Sequence, residues 1–341
     1  MSAEIRSMID RVKQISLDSR IVPREDIIAL LSIDPNSDDC EYLRQAAEEV
    51  TRQNTGNRIR VGISIGVDFA PCSMNCRFCS LGEKWGIVKG ERVVPLDIIT
   101  ETIREYVAKG YFQFVLRTTE FFPNETLCEY AKHIRANVPG RYILVANTGE
   151  QTARSAKRLK DAGFNAVYHA VRLGEGRDTD FTAEERLNSI LVSKEAGLLA
   201  SCGLDPIGPE HTNEEIADRL ELYRDVVRPA TICTMKRIAV PGTPMYDIGE
   251  ITHERHMQIV AVNRLVNGSR CIIPVHPLSA DSFRYGANHI SVEIGPNPRD
   301  DDMTKLRWYP FPPDDAKKLI EDAGYEFGTI GDFAKYFPYQ E

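Results

Sequence analysis

The sequence predicts an α/β protein built as a (β/α)8 TIM-type barrel, with a helical extension before it and a closing helix after it. Three observations carry this. From Arg58 onward short apolar strands alternate with amphipathic helical runs. Eight such strands can be counted, the number that closes a barrel. Several of the helical runs end in glycine, which accepts the left-handed backbone at a helix C-terminus. A doubly wound open sheet is the alternative, because strand order is not written in one sequence.

Residues 1–57 read as three helices: AEIRSMIDRVKQ, PREDIIALLSI with Pro23 at its start, and DDCEYLRQAAEEVTRQN. The strands expected next are RIRVGISIGV, FQFVLRT, RYILVAN, AVYHAVR, LLASCGLD, TICTMKRIAV, CIIPVHPL and HISVEIG. Helical runs such as PLDIITETIREYVAKG, NETLCEYAKHIRANV and THERHMQIVAVNRLV separate them, and only the crossover around SADSFRYGAN is short. PNPRDDD then makes a polar turn and PPDDAKKLIEDAG a last helix. The expected units are an N-terminal extension over 1–57, a barrel over 58–295 and a C-terminal extension over 296–341 packed on it.

The 341 residues carry 42 Lys and Arg against 50 Asp and Glu, a net charge of −8. No broad basic field attracts nucleic acid or anionic lipid, so neither is an expected partner. No window approaches a membrane span, and MSAEIRSMIDRVKQ lacks the apolar middle of a signal peptide, so a cytoplasmic protein is expected. In that reducing setting, eight cysteines point to metal or redox chemistry more than to disulfides.

Three of them, Cys72, Cys76 and Cys79, lie within eight residues just past the first strand, in APCSMNCRFCSLG. A loop that short can wrap three thiolates around one face of a compact site at the barrel mouth. Zinc would want a fourth protein ligand, and no CxxC pair or HxxxH follows at that spacing. A [4Fe–4S] cube on three cysteines would leave one iron open to a small molecule.

The spacing Cys-x3-Cys-x2-Cys after a barrel's first strand, with Phe78 ahead of Cys79, closely resembles the radical S-adenosylmethionine (SAM) superfamily. The resemblance implies a [4Fe–4S] cluster whose open iron chelates the amine and carboxylate of SAM. Reduction by a low-potential donor, ferredoxin or flavodoxin, then yields a 5′-deoxyadenosyl radical that abstracts a hydrogen atom, the cofactors carrying the chemistry.

Longer stretches resemble the group containing biotin synthase, the hydrogenase maturase HydE and methylornithine synthase. They are NTGEQTARSAKRLKDAGFNAVYHAVR, ERLNSILVSKEAGLLASCGLDPIG, VPGTPM and YGANHISVEIGPNPRDDD. Matching positions implies that Thr119 and Glu120 sit at the turn facing the SAM amine, although RTTE replaces the group's paired glycines. It further implies that Arg186 meets the SAM carboxylate, a bidentate task suited to guanidinium. His169, Arg172 and Glu175 would stand near the ribose and substrate, and Leu204 and Ile207 would flank the adenine. Biotin synthase keeps a second cluster on cysteines of strands two, three and five. The matching positions here are Leu116 or Arg117, Asn147 and Ala200, so biotin synthesis itself is not expected.

Cys202, Cys233 and Cys271 fall on three successive expected strands, where they either hold a different auxiliary cluster or pack as small apolar residues. Cys40 and Cys128 are expected in plain packing. Arg117, Asn147, Arg172, Lys236, Arg237, His276 and Glu293 are candidates for the barrel interior or rim. Alternation predicts that Lys236 and Arg237 face opposite ways. Such a cationic cavity calls for an anionic small-molecule substrate, with His276 and Arg172 as candidate catalytic groups. The expected function is a radical SAM enzyme of cofactor or unusual amino-acid biosynthesis. A sulfur-inserting enzyme with a second cluster and a non-catalytic iron–sulfur carrier are the alternatives.

Overall fold

The computed structural model describes residues 2–279, 281–299 and 312–337. Eight parallel strands form its centre: β1 (Arg58–Gly66), β2 (Gln113–Arg117), β3 (Ile143–Asn147), β4 (Ala166–Tyr168), β5 (Leu199–Ile207), β6 (Thr231–Lys236), β7 (Pro274–His276) and β8 (His289–Ile294). Each pairs with its neighbour in sequence, and β8 pairs with β1, Arg60 opposite His289 through Ile65 opposite Ile294. The sheet is a closed barrel, as expected, and the open-sheet alternative falls away. AVYHAVR contributes only Ala166–Tyr168 to the ladder, because the chain turns out at His169 to carry polar side chains over the mouth.

Helices follow the strands. The three N-terminal ones are α1 (Ser2–Leu17), α2 (Arg24–Leu31) and α3 (Asp38–Thr55). The outer layer holds α4 (Leu96–Ala108), α5 (Asn124–Asn137), α6 (Ala153–Asp161), α7 (Ala183–Glu195), α8 (Asn213–Glu221) and α9 (His253–Asn267). Thr152, Thr182, Thr212 and Thr252 cap the last four, each hydroxyl accepting from the backbone N–H three residues on. In α6, α7 and α8 the third residue returns the bond to complete a capping box, which sets where each helix leaves its loop.

Helix α9 is buried along most of its length, polar Gln258, Asn263 and Arg264 included, because α1, α2 and α3 pack over it. That is what the N-terminal extension does. Residues 312–337 of the C-terminal extension lie at the opposite end of the barrel from the cysteine loop, whereas the Pro298 carbonyl accepts from Ser80 within that loop. Glu326 and Phe327 pair alongside Arg58 and Ile59 at the start of β1, α10 (Pro313–Asp322) packs on β1, and Phe333 is buried beneath it. The polar turn PNPRDDD is described only through Arg299.

Candidate active site

The cysteine loop leaves β1 and is tied at its base by an antiparallel pairing of Asp68 and Phe69 with Arg92 and Val93. Within it Cys72 N–H donates to the Leu81 carbonyl at 2.7 Å and Glu83 N–H to the Cys72 carbonyl at 3.1 Å. Asn75 takes a left-handed φ of 49°, and its Oδ1 accepts from Lys84 N–H at 2.9 Å. Gly82 is required by space: a Cβ there would lie 2.1 Å from Trp85 Nε1. Phe69, Leu81 and Val88 form a small apolar cluster against Cys72 and Cys79.

All three thiols are free. Burial pushes Cys76 up to about 11 and Cys79 up to about 12, so neither ionises without a cation to meet it. Among the described residues these sulfurs are not drawn together within 4.8 Å, the spread that ligands of a single ion share. The donor set therefore fits a multi-iron cluster better than one zinc ion.

Around the mouth, buried Asp68 holds the turn after β2. Thr119 N–H donates to its Oδ1 at 2.7 Å and Thr119 Oγ1 to its Oδ2 at 2.5 Å. The hydroxyl of Thr119 thus anchors this turn. Gly149 leaves room for Glu120, whose carbonyl oxygen would lie 2.0 Å from a Cβ at that position.

Arg186 projects from the first turn of α7 and is 1% exposed. Three carboxylates surround it: Glu150 in direct contact, Glu175 at 3.4 Å and Glu120 at 3.5 Å. Its guanidinium lies 4.3 Å from the Phe181 ring centre. Glu150 Oε1 also accepts from His169 Nε2 at 2.8 Å, while its buried Oε2 has no partner. Burial, aided by Arg172, lowers His169 to about 4, so this ring is neutral near pH 7. Glu175 Oε2 accepts from Arg172 N–H at 2.8 Å, fixing the loop after β4.

Below the mouth is a cavity of about 250 Å³ inside the barrel. Phe78 and Cys79 form part of its upper wall, joined by Arg172 and Asp205. Arg172 makes no side-chain hydrogen bond or ion pair within 4 Å among the described residues, and its Nη1 is buried without a partner. Asp205 accepts from Tyr168 O–H at 3.1 Å, leaving Oδ1 unpartnered. Gly203 admits this pair, since a Cβ would meet the Tyr168 hydroxyl at 2.3 Å.

Lower down, Glu293 is the centre of a charged group. Arg117 Nη1 donates to its Oε1 at 3.0 Å and Arg299 to its Oε2, while His276 Nε2 lies 2.9 Å from that oxygen and 3.1 Å from Arg299 Nη2. Burial opposes ionisation of Glu293, but Arg299, His276 and Arg117 outweigh it and hold the carboxyl well below its usual range. The buried Nδ1 of His276 has no hydrogen-bond partner.

Leu204 and Ile207 are buried in the main apolar core. One placement differs from expectation. Lys236 and Arg237 both reach the cavity mouth, because β6 ends at Lys236 and alternation no longer holds beyond it. Each is paired, Lys236 with Glu250 at 2.6 Å and Arg237 with Glu210. Of the three later cysteines only Cys233 lines the cavity; Cys202 and Cys271 belong to the apolar core. Cys271 also precedes β7, so the trio does not converge on a second cluster. Cys40 and Cys128 pack in the core as expected. Nothing local in the sequence marks Asp68, Glu150, Asp205 or Arg299, since isolated acidic and basic residues carry no local signal.

A family model of the radical SAM superfamily matches residues 69–253, more than half the chain. The protein belongs to the radical SAM superfamily and is a radical SAM enzyme, with a [4Fe–4S] cluster and SAM as its cofactors. Its sequence is 24% identical over 272 residues to biotin synthase of Persephonella marina, spanning 77% of this chain and 78% of that one. It is 25% identical over 257 residues to biotin synthase of Acaryochloris marina, spanning 72% of each. In fold it is similar to methylornithine synthase (PylB), with TM-score 0.81 and 16% identity over 95% of this chain and 99% of that one. The [FeFe]-hydrogenase maturase HydG gives TM-score 0.77 and 15% identity over 95% of this chain and 76% of that one. Among the described residues no helix is long and apolar enough to cross a membrane.

Proposed function

We propose that this enzyme abstracts hydrogen from a small anionic molecule held in the barrel below the cluster loop, in the biosynthesis of a cofactor or an unusual amino acid. One observation carries the reading. The cavity that begins at Phe78 and Cys79 is lined by Arg172, which among the described residues has no carboxylate within ion-pair distance although Asp205 and Glu175 stand nearby, and by Arg299 and His276 beside Glu293. Buried guanidinium groups need anions, so an anionic substrate completes the site. The likeness to biotin synthase and methylornithine synthase supports the biosynthetic class.

Cys72, Cys76 and Cys79 would hold the cluster, which when bound with SAM supplies a 5′-deoxyadenosyl radical. The chain's own groups do the rest. Glu150 offers its unpartnered Oε2 to the SAM amine, a charge-assisted hydrogen bond. Arg186, already held by three glutamates, keeps that carboxylate in place and faces the SAM carboxylate. Thr119 and Glu120 form the turn above. The walls exclude water, so the radical meets substrate before solvent. Arg172 orients the substrate, and the neutral His276 offers Nδ1 as a proton acceptor or hydrogen-bond partner.

The test is anaerobic reconstitution followed by incubation with dithionite and SAM. Formation of 5′-deoxyadenosine supports radical chemistry, and a carrier yields none. Deuterium transfer from a labelled candidate substrate into 5′-deoxyadenosine identifies the substrate. About four irons per chain are expected, and about eight would favour a second cluster.

A further inference from the structure

Near the N-terminal ends of the strands the cavity ends on Gln113, Thr231, His289 and Ser291. Against them lies Arg60 of β1, 0% exposed. Its Nε–H donates to His289 Nδ1 at 2.7 Å, and its guanidinium stands 4.8 Å from the Phe337 ring centre. Nη2 is 3.5 Å from Thr231 Oγ1, and Nη1 has no hydrogen-bond partner. Among the described residues no carboxylate pairs with Arg60, and burial pulls this guanidinium down to about 9.

The hydrogen bonds run in one direction only. A guanidinium has no acceptor, so Nδ1 of His289 accepts and the ring proton sits on Nε2. Nε2 lies 3.1 Å from Ser291 Oγ and donates to it, leaving the Ser291 hydroxyl proton for whatever occupies the cavity. Space is kept for the ring, since a Cβ on Gly62 would lie 2.6 Å from His289 Cε1. Burial and the adjacent Arg60 keep His289 neutral, its pKa well below the ordinary histidine range. The floor therefore presents a hydroxyl donor backed by a buried cation that has no carboxylate partner among the described residues, an arrangement completed by an oxygen acceptor carrying negative charge.

We propose that Ser291 and His289, backed by Arg60, form a floor subsite for a carboxylate at the far end of the substrate. The substrate is then a molecule with two anionic groups, one on the floor and one nearer Arg172 and Arg299. Ser291 and Glu293 are two residues apart on β8, which separates the two stations by about 7 Å along the strand. This inference rests on the reading of the cavity as the substrate site.

The test uses reconstituted holoenzyme labelled with 15N-histidine, with glutarate as the dianionic probe and glutaramide as its neutral counterpart. Loss of its signals in His289→Gln assigns the ring, and Ser291→Ala does so through the adjacent shift if the first variant does not fold. The expected result is an Nε2–H neutral ring whose signals move saturably with glutarate. Affinity should fall about tenfold in Ser291→Ala, the loss of one hydrogen bond to a charged group, and glutaramide should give no response. An Nδ1–H or imidazolium ring, no response to glutarate, or an equal response to glutaramide overturns the proposal. Formation of 5′-deoxyadenosine by the same unmodified holoenzyme is read separately. Its absence refutes the radical reading, whereas its presence without a glutarate response refutes the floor subsite alone.

Discussion

Arg186 shows how a single residue can be found in a sequence while its surroundings stay hidden. Its position after the fourth strand marks it, yet nothing local announces that Glu120, Glu150 and Glu175 from three different loops converge on it. Breaking such a buried group by removing one partner is costly, because the remaining charges are left uncompensated. Arg186→Met is expected to lower unfolding free energy by roughly 3–5 kcal/mol in urea titration. Glu150→Gln should keep the fold but weaken SAM binding by about tenfold, as a neutral amide replaces the carboxylate offered to the amine. Equilibrium dialysis with labelled SAM measures this, and unchanged affinity would remove Glu150 from the site.

At the scale of elements, the cysteine loop is organised by contacts that its spacing does not reveal. The Cys-x3-Cys-x2-Cys pattern marks the proposed ligands, whereas Trp85 against Gly82 and the clamp of Asp68 on Thr119 set the loop's shape. Gly82→Ala brings a Cβ against the Trp85 ring edge. It should therefore reduce iron content after reconstitution while the far-UV circular dichroism stays that of the barrel. Adding Trp85→Ala should restore iron, a rescue that a backbone effect of the alanine would not show. Strand ends were the least legible feature: TICTMKRIAV reads as one strand, but the ladder stops at Lys236 and brings both Lys236 and Arg237 to the mouth. The threonine caps of α6 to α9, by contrast, are local signals that any reader of the sequence can find.

For the whole molecule, the two extensions finish the barrel from outside and below. Phe333 is 1% exposed under the β1 end, so Phe333→Ala should cost roughly 3–5 kcal/mol in denaturant titration. Stability should also depend on pH through His256, which is buried in α9 and whose Nε2–H donates to the Thr234 carbonyl at 3.2 Å. Burial lowers it to about 4 from 6.5. Between these values the unfolded chain binds a proton that the folded chain refuses, so stability is full above pH 6.5 and falls as pH drops toward 4. The slope from this group is about 1.4 kcal/mol per pH unit. Melting temperatures of the wild type and His256→Gln between pH 7 and 5 check it, the variant losing that part of the slope.

Strand count, helix positions and the cysteine triad proposed to hold the cluster could be read from the linear chain, because each rests on periodicity or close spacing along it. Closure of the barrel, the carboxylates around Arg186 and the Arg60–His289–Ser291 chain arise only when distant segments meet. They depend on which side of a strand a residue faces and on which strand stands beside it. A single sequence states neither, since one residue of register sends every side chain of a strand to the other face.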